Sequence, residues 1–558
     1  MRFSSRSKMS IVLSLVTILA IASGFVVAGI FRGAPASAHA AGNPYSASQG
    51  SINAITRADL SKPPASKGVP ASSNSDPSQI RVNRPTHGAG SGNANSAPKA
   101  PGSPLESGHS LLQNFNGLSG VDSFNVNGST VEPPDQGLCV NGDFVLEEVN
   151  SVFALYHRNG TLASGLITMN SFFGEAPSEF TSDPRCYFDP ATQAWFSTIL
   201  TIDPNNKHSH FDIEVSTNDN PLKQAVVYQI DTTDIHDPGC PCFGDQPLFG
   251  LDQFNFYVST NEFSILGPQF NGAQIYALDK SALVHMTKVK FVHFGNLNIG
   301  GAIAASVQPA INHGNVDAEY FLNSLDPNGT FDNRIGVWAI TGRDKVAKGG
   351  VPNLSSIVIT SETYGFPPSA ESPHNELLNT DDDRMQQVQF INGQLWSSLT
   401  TAITIPGDQQ VRSAAAWFEI QPHLKGNVIG GAQVTNQGYV DLLGTYLLYP
   451  AIQTSPDGTA VMTMSLSAAS VYPSAVYTVK AAGNAGFGAV HVAAAGVDRV
   501  REFACLPKFG GLCRWGDYSA AVIDPSNNGK TIWMATEYIP GPGYTHTNWG
   551  TRVMEIQA

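Results

Sequence analysis

The sequence predicts an all-β chain, a seven-bladed β-propeller preceded by a signal peptide and a disordered linker, and three observations predict it. Asn-Gly or Asp-Gly pairs begin at Asn127, Asn141, Asn159, Asn271, Asn328, Asn392, Asp457 and Asn528, and such pairs favour the type I′ turns that close hairpins. Short apolar and aromatic runs lie between them, while segments with helical periodicity over about ten residues are scarce. The same order of parts then returns seven times at a spacing of roughly sixty residues, within the loose range of propeller blades.

Residues 1–40 read as the signal peptide. Arg2, Arg6 and Lys8 precede an apolar run from Ile11 to Phe31, followed by the small-residue cleavage sites Ala36-Ser37-Ala38 and Ala38-His39-Ala40. The run is also long enough to span a bilayer, so an uncleaved anchor is the alternative. Either arrangement places the bulk of the chain outside the cytoplasm, secreted or tethered to the outer face of the membrane. Residues 41–106 shift to Ser, Pro, Ala, Gly and Asn, with too few apolar groups to offset the entropy of ordering, and read as the linker. The glycines at Gly88 to Gly92 follow no strand and precede no helix, which removes a phosphate-cradling loop.

Residues 107–558 read as the propeller domain. Its units begin "PPDQGLCVNGDFVLEEVNSVFALYHRNG" at Pro133, "SDPRCYFDPATQAWFSTILT" at Ser182 and "GDQPLFGLDQFNFYVSTNEF" at Gly244. Four more follow: "AIAASVQPAINHGNVDAEYFLNS", "DRMQQVQFINGQLWSSLTTA", "LLYPAIQTSPDGTAVMTMSLSA" and "WGDYSAAVIDPSNNGKTIWMATEY". A small sheet with two apolar faces cannot bury both alone, and radial stacking buries each against a neighbour. Ring closure calls for "LLQNFNGL" or "VDSFNVNG" to pair with the final unit near Thr551 to Ile556.

The six cysteines of an exported chain read as disulfides. The preferred pairs are Cys505 with Cys513, closing a short loop, and Cys139 with Cys186, at similar places in successive units. Cys240-Pro241-Cys242 reads as a stapled loop, because zinc would need two more ligands and His208, His210 and His236 form no recognisable pattern.

With 31 basic against 45 acidic side chains the net charge is −14, and the first forty residues hold four of the basic groups and no acid. Such an excess of carboxylates repels nucleic acid and anionic lipid heads. No Gly-x-Ser-x-Gly elbow, His-Glu-x-x-His motif or Walker loop is present.

Chemistry is expected on the propeller axis. Asp135, Asp183, Asp245, Asp383 and Asp517 each stand at or just before the first strand of a unit, where they would converge. Their repulsion would be relieved by Ca²⁺ or by Arg185, Arg384 and Arg514; alternatively, aspartate there merely begins strands as a turn former. Asp326-x-Asn328-x-x-x-Asp332 is a second candidate calcium loop. For catalysis the candidates are Asp183, Arg185, Asp245, Glu262, Asp517 and Glu537, since glycoside hydrolysis needs paired carboxylates. For ligand binding they are Arg384, Arg514 and the loop aromatics Tyr544 and Trp549, the last two able to stack on sugar rings.

Ser182-Asp183-Pro184-Arg185 with Asp189-Pro190 and Trp195-Phe196, and Trp515-Gly516-Asp517-Tyr518-Ser519 with Asp524-Pro525, Trp533 and Glu537-Tyr538, resemble secreted bacterial β-propeller proteins of largely uncharacterised function. The resemblance spans most of Pro133 to Ala558 and implies a fold and an extracellular location, without an activity. Sialidase-type turns are only echoed by "SLDPNGTF" and "TSPDGTA", and the Phe/Tyr-Arg-Ile-Pro motif of sialidases is absent. The expected function is therefore an extracellular module binding carbohydrate or protein, with a secreted polysaccharide-acting glycoside hydrolase or lyase as the alternative.

Overall fold

Alternation along single strands builds the architecture. In Thr531–Tyr538, Trp533 and Ala535 join an apolar cluster with Val145 and Ala154, whereas Ile532 and Met534 join another with Val461 and Tyr477. Successive side chains of a strand face opposite ways, so one strand feeds two cores. A computed structural model describes residues 45–61, 97–100, 102–107, 111–203, 207–326, 329–544 and 546–558. The signal or anchor expected over 1–40, the glycines at 88–92 and Asn328 lie outside the described residues.

The described residues are nearly all β. Antiparallel pairing groups them into seven meanders. The first holds Gly137–Val140, Phe144–Val149, Val152–His157 and Ile167–Thr168. The second holds Phe180–Asp189, Ala194–Asp203, His208–Ser216 and Ala225–Asp231. Cys242–Leu251, Asn255–Ser264, Phe270–Asp279 and Val289–Phe294 make the third. The fourth is Gln308–Asn312, Glu319–Ser324, Phe331–Thr341 and Asn353–Gly365. Val388–Ile391, Gln394–Thr404, Val411–Lys425 and Val428–Val440 form the fifth. Tyr446–Thr454, Ala460–Ala468, Val471–Lys480 and Val490–Ala494 form the sixth. The seventh runs Ala520–Ile523, Thr531–Tyr538, Gly550–Gln557, and takes Gln113–Ser119 as its fourth strand.

Apolar clusters join these sheets in cyclic order, as a β-propeller requires. Leu146 and Phe153 of the first pack with Phe188 and Trp195 of the second, and Phe196 and Phe211 pack with Phe249 and Phe256 of the third. Tyr257 meets Phe321 and Trp338 of the fourth, and Tyr320 meets Leu399 and Phe418 of the fifth. Trp396 and Trp417 cover Met462 and Met464 of the sixth, which passes Val461 and Tyr477 to the seventh. Trp533 and Val553 of the seventh return to Val145 of the first. Burying each such large side chain contributes roughly 1.5–3 kcal/mol. First strands lie innermost, and those of the third, fourth and fifth meanders pair in parallel, Leu251 opposite Ile311 and Ala310 opposite Val388.

The chain ends meet as one of the two expected segments requires: Phe115 lies opposite Val553 and Gln113 opposite Glu555. "VDSFNVNG" is a helix instead, Gly120–Asn127, capped by the Ser119 side chain and closed by Gly128 at φ 72°. Asn127-Gly128 therefore ends a helix, where glycine accepts the left-handed conformation without a Cβ clash. All three expected disulfides are present, Cys139–Cys186, Cys240–Cys242 and Cys505–Cys513.

The linker expectation over 41–106 needs correction where the chain is described. Ala47–Ile52 adds a strand to Val289–Phe294, Ile55–Arg57 adds one to Ala225–Asp231, and Leu105–Ser107 runs parallel to Val490–Ala494. Composition excludes a core of its own, but an edge strand borrows order from the sheet it completes, through backbone groups that polar residues carry equally well. Arg57 fastens the segment: its Nη2 donates to Glu214 Oε1 at 2.7 Å and to the Pro221 carbonyl at 2.6 Å, all buried. No helix among the described residues is long and apolar enough to cross a membrane.

Candidate functional site

Bulges in the innermost strands aim the site. Asp183, Gln246 and Tyr449 adopt φ of 60°, 50° and 52°, and each precedes a proline, Pro184, Pro247 and Pro450. At all three the ladder slips register, between Thr198 and Leu200, Asp245 and Leu248, and Leu448 and Ala451. A bulge redirects side chains, and proline removes the N–H that would have continued the ladder. Asp135, at φ 52°, plays the corresponding part just ahead of the first meander.

Asp135, Asp183 and Asp517 come together. The Asp517 N–H donates to Asp135 Oδ1 at 2.6 Å, and Asn150 Nδ2 donates to Asp135 Oδ2 at 2.7 Å. Asn150 Oδ1 in turn accepts from the Asp183 N–H at 2.7 Å, so one amide stitches the first two meanders. Burial, then the charges of Asp517 and Asp183, hold the Asp135 carboxyl well above the usual carboxylate range, against the pull of Arg514. Arg514 pairs with Asp517 at 3.0 Å and is partly exposed. Arg185 is partly buried, its guanidinium carbon 3.9 Å from the Tyr518 ring centroid, while Tyr518 Oη donates to the Pro184 carbonyl at 2.8 Å. Burial lowers the Arg185 pKa, and Tyr518, Asp183 and Asp135 resist that shift.

Arg384 arrives from the segment just ahead of the fifth meander. It forks onto Asp382 with two bonds of 2.7 Å, reaches Asp381 at 3.1 Å, and donates to Gln246 Oε1 at 2.7 Å. Glu537 accepts from the Gly516 N–H at 2.7 Å and is held well above its usual range, by burial first and then opposed by that bond. Polar atoms remain over: both amide atoms of Gln136, Arg185 Nε and Glu537 Oε1 are buried without a protein partner. Of the arginines expected to relieve acid repulsion, Arg514 pairs with Asp517, whereas Arg384 pairs with the neighbouring Asp381 and Asp382. Among the described residues, the groups compact enough for a cation are Cys240–Cys242–Glu262, Glu175–His210–Asp212 and Asp234–Asp237–Glu262.

Other expected residues lie elsewhere. Asp383 is buried, and burial first and then the Asp326 carboxyl hold it well above the usual carboxylate range, so it is corrected from the axial group to a carboxyl pair. Asp326 is further engaged by Thr330 and Asp332 by Arg334, which occupies the acids of the candidate calcium loop. Asp245 is buried beside the bulge at Gln246. Glu262 sits beside the Cys240–Cys242 loop, accepting from Asn271 at 2.9 Å; burial, with Asp234 and Asp237 adding, pushes it up to about 7. Trp549 is corrected from a ligand aromatic to core: it is 1% exposed and packs with Leu118 and Val553. Tyr544 is exposed, its ring edge-on to exposed Phe124 with centroids 5.3 Å apart.

Sequence reasoning missed Asn150, Gln136, Tyr518 and the Glu175–His210–Asp212 group. A signal for the bulges was available, namely proline at the same place in three first strands.

Neither a protein-family model nor a curated protein sequence matches the chain. Among solved structures it is similar to an α-L-arabinofuranosidase from Fusarium graminearum, at 10% identity over 80% of this chain and 98% of that one, with a TM-score of 0.34. It is also similar to an α-L-arabinanase from Penicillium chrysogenum (12% identity, 68% and 93% of the two chains, TM-score 0.27). The extracellular domains 1-2 of Drosophila semaphorin 1b match at 9% identity over 81% and 87%, with a TM-score of 0.28.

Proposed function

We propose that the chain is an exported, seven-bladed propeller, one meander to a blade, that binds carbohydrate at the axial cluster of Asp135, Asp183, Asp381, Asp382 and Asp517 with Arg185, Arg384 and Arg514. The signal-like residues 1–40 and three disulfides support export. The observation that carries the binding role is the interleaving of opposite charges around unpartnered buried polar atoms. A ring of arginines alone would suit an anion and a ring of acids alone a cation. Alternating forks of donors and acceptors suit vicinal hydroxyls, which give and take hydrogen bonds together. Gln136, with neither amide atom partnered, offers one donor and one acceptor more.

A hydrolytic reading has one observation in its favour. Asp135 is pushed towards its protonated form beside Asp517 and Asp183, the form a general acid needs. Against it, both Asp135 oxygens already accept bonds from Asn150 and the Asp517 N–H.

The test is a glycan screen with the full chain, followed by calorimetry on Arg384→Ala and Arg514→Ala. Binding weakened at least tenfold in both, with no sugar released by the parent protein, is expected. Binding indifferent to both substitutions, or absent, would sink the reading; sugar release abolished by Asp135→Asn would replace it with the hydrolase.

A further inference from the structure

Away from the axis, on the second meander, His210 stands among carboxylates in an arrangement that a salt bridge does not complete. Its Nδ1 is 2.8 Å from Asp212 Oδ1, and its Nε2 faces Glu175 Oε2 at 3.9 Å. One imidazole thus meets two acids, and these three groups are compact enough to share one cation.

We propose that Glu175 and the Nε2 of His210 bind one divalent transition-metal ion of the zinc or manganese kind, with Asp212 orienting the imidazole from behind and solvent completing the shell. The Nε2–Oε2 gap is too long for a hydrogen bond. Two ligands about 2.0–2.2 Å from one ion sit roughly 3.3–3.6 Å apart in near-tetrahedral geometry, so a movement of a few tenths of an ångström closes the site. Imidazole nitrogen with carboxylate oxygen suits these ions better than calcium, which prefers oxygen throughout. A carboxylate on Nδ1 fixes the tautomer that leaves Nε2 to the metal.

The supports are in place before any ion arrives. Thr201 Oγ1 donates to Asp212 Oδ2 at 2.7 Å, and Gln229 Nε2 donates to Glu175 Oε1 at 2.7 Å. Asn170, on the short helix Met169–Phe173, donates to the Ala176 and Glu179 carbonyls at 2.8 and 3.0 Å, which pins the loop carrying Glu175. His210 and Asp212 alternate with Phe211 and Ile213 on His208–Ser216, so the strand that delivers two polar groups to the site buries its other face in the core. Glu175 is partly exposed, which leaves solvent a coordination position. The site shares no residue with the axial cluster and stands apart from the carbohydrate reading.

Co²⁺ and Zn²⁺ titrated into chelator-stripped full chain test the proposal, with visible absorption and X-ray absorption of the cobalt form as readouts. One equivalent should bind, with a nitrogen and oxygen shell around cobalt. His210→Ala and Glu175→Gln should each weaken binding at least a hundredfold, and Asp212→Asn about 10- to 100-fold. No binding by the parent chain, a purely oxygen shell, or affinity unchanged in folded His210→Ala and Glu175→Gln would overturn it; the spectrum of the parent chain decides even if the variants do not fold.

Discussion

Replacing Glu147 by glutamine tests how the ring is closed. Glu147 is fully buried on the first meander and reaches across to the seventh, where it accepts from the Leu118 N–H at 2.8 Å and from Thr551 Oγ1. Burial, opposed by Thr551, Leu118 and Tyr156, pushes its carboxyl from 4.5 up to about 7. A carboxyl whose folded value exceeds its unfolded one gains a proton on folding. Its contribution is whole below about pH 4.5, declines as pH climbs, and is flat above about 7. The gap is roughly 2.5 pH units, and at 1.36 kcal/mol per unit ionisation costs about 3 kcal/mol at pH 8. Glutamine cannot ionise, yet it keeps the shape: its carbonyl can accept from Leu118, and its amide can donate to the Thr551 hydroxyl, which itself donates to the Leu118 carbonyl. Urea unfolding of both proteins at pH 4 and pH 8 measures the difference. Relative to the parent, the glutamine variant should gain about 3 kcal/mol more at pH 8 than at pH 4. An equal effect at both pH values would refute the reasoning, because a purely steric or hydrogen-bonding change has no reason to follow this titration.

Arg57→Ala should cost roughly 3–5 kcal/mol by stranding buried Glu214, less at pH 5 than at pH 8, because a protonated Glu214 no longer needs the guanidinium; denaturant melts at the two pH values check it. The paired substitution of Cys139 and Cys186 by serine removes a link between residues 47 apart in sequence and should lower stability by about 4 kcal/mol, read from urea midpoints under non-reducing conditions. Trp549→Ala should cost roughly 3–5 kcal/mol, as for a buried aromatic, whereas Tyr544→Ala, at an exposed ring, should shift the melting temperature little; calorimetry separates core from surface aromatic.

Local pattern carried much of this structure. Each of the seven segments that repeat in sequence forms an antiparallel meander, because strand alternation and turn dipeptides are short-range properties. The disulfide pairs were legible for a related reason, since Cys139 and Cys186 hold like positions in successive repeats. Tertiary structure decided the rest. "LLQNFNGL" and "VDSFNVNG" were equal candidates until pairing with Gly550–Gln557 and a serine cap sent them to strand and helix. Residues 45–61 have the composition of a tether, but the free edges of the second and third meanders supply their partners, and composition does not record a partner's edge. Asp135, Asp183 and Asp517 could be picked out as recurring acids. That Asp383 would leave them for Asp326, and that Glu175 would meet His210 on the strand His208–Ser216, are choices made by packing in three dimensions.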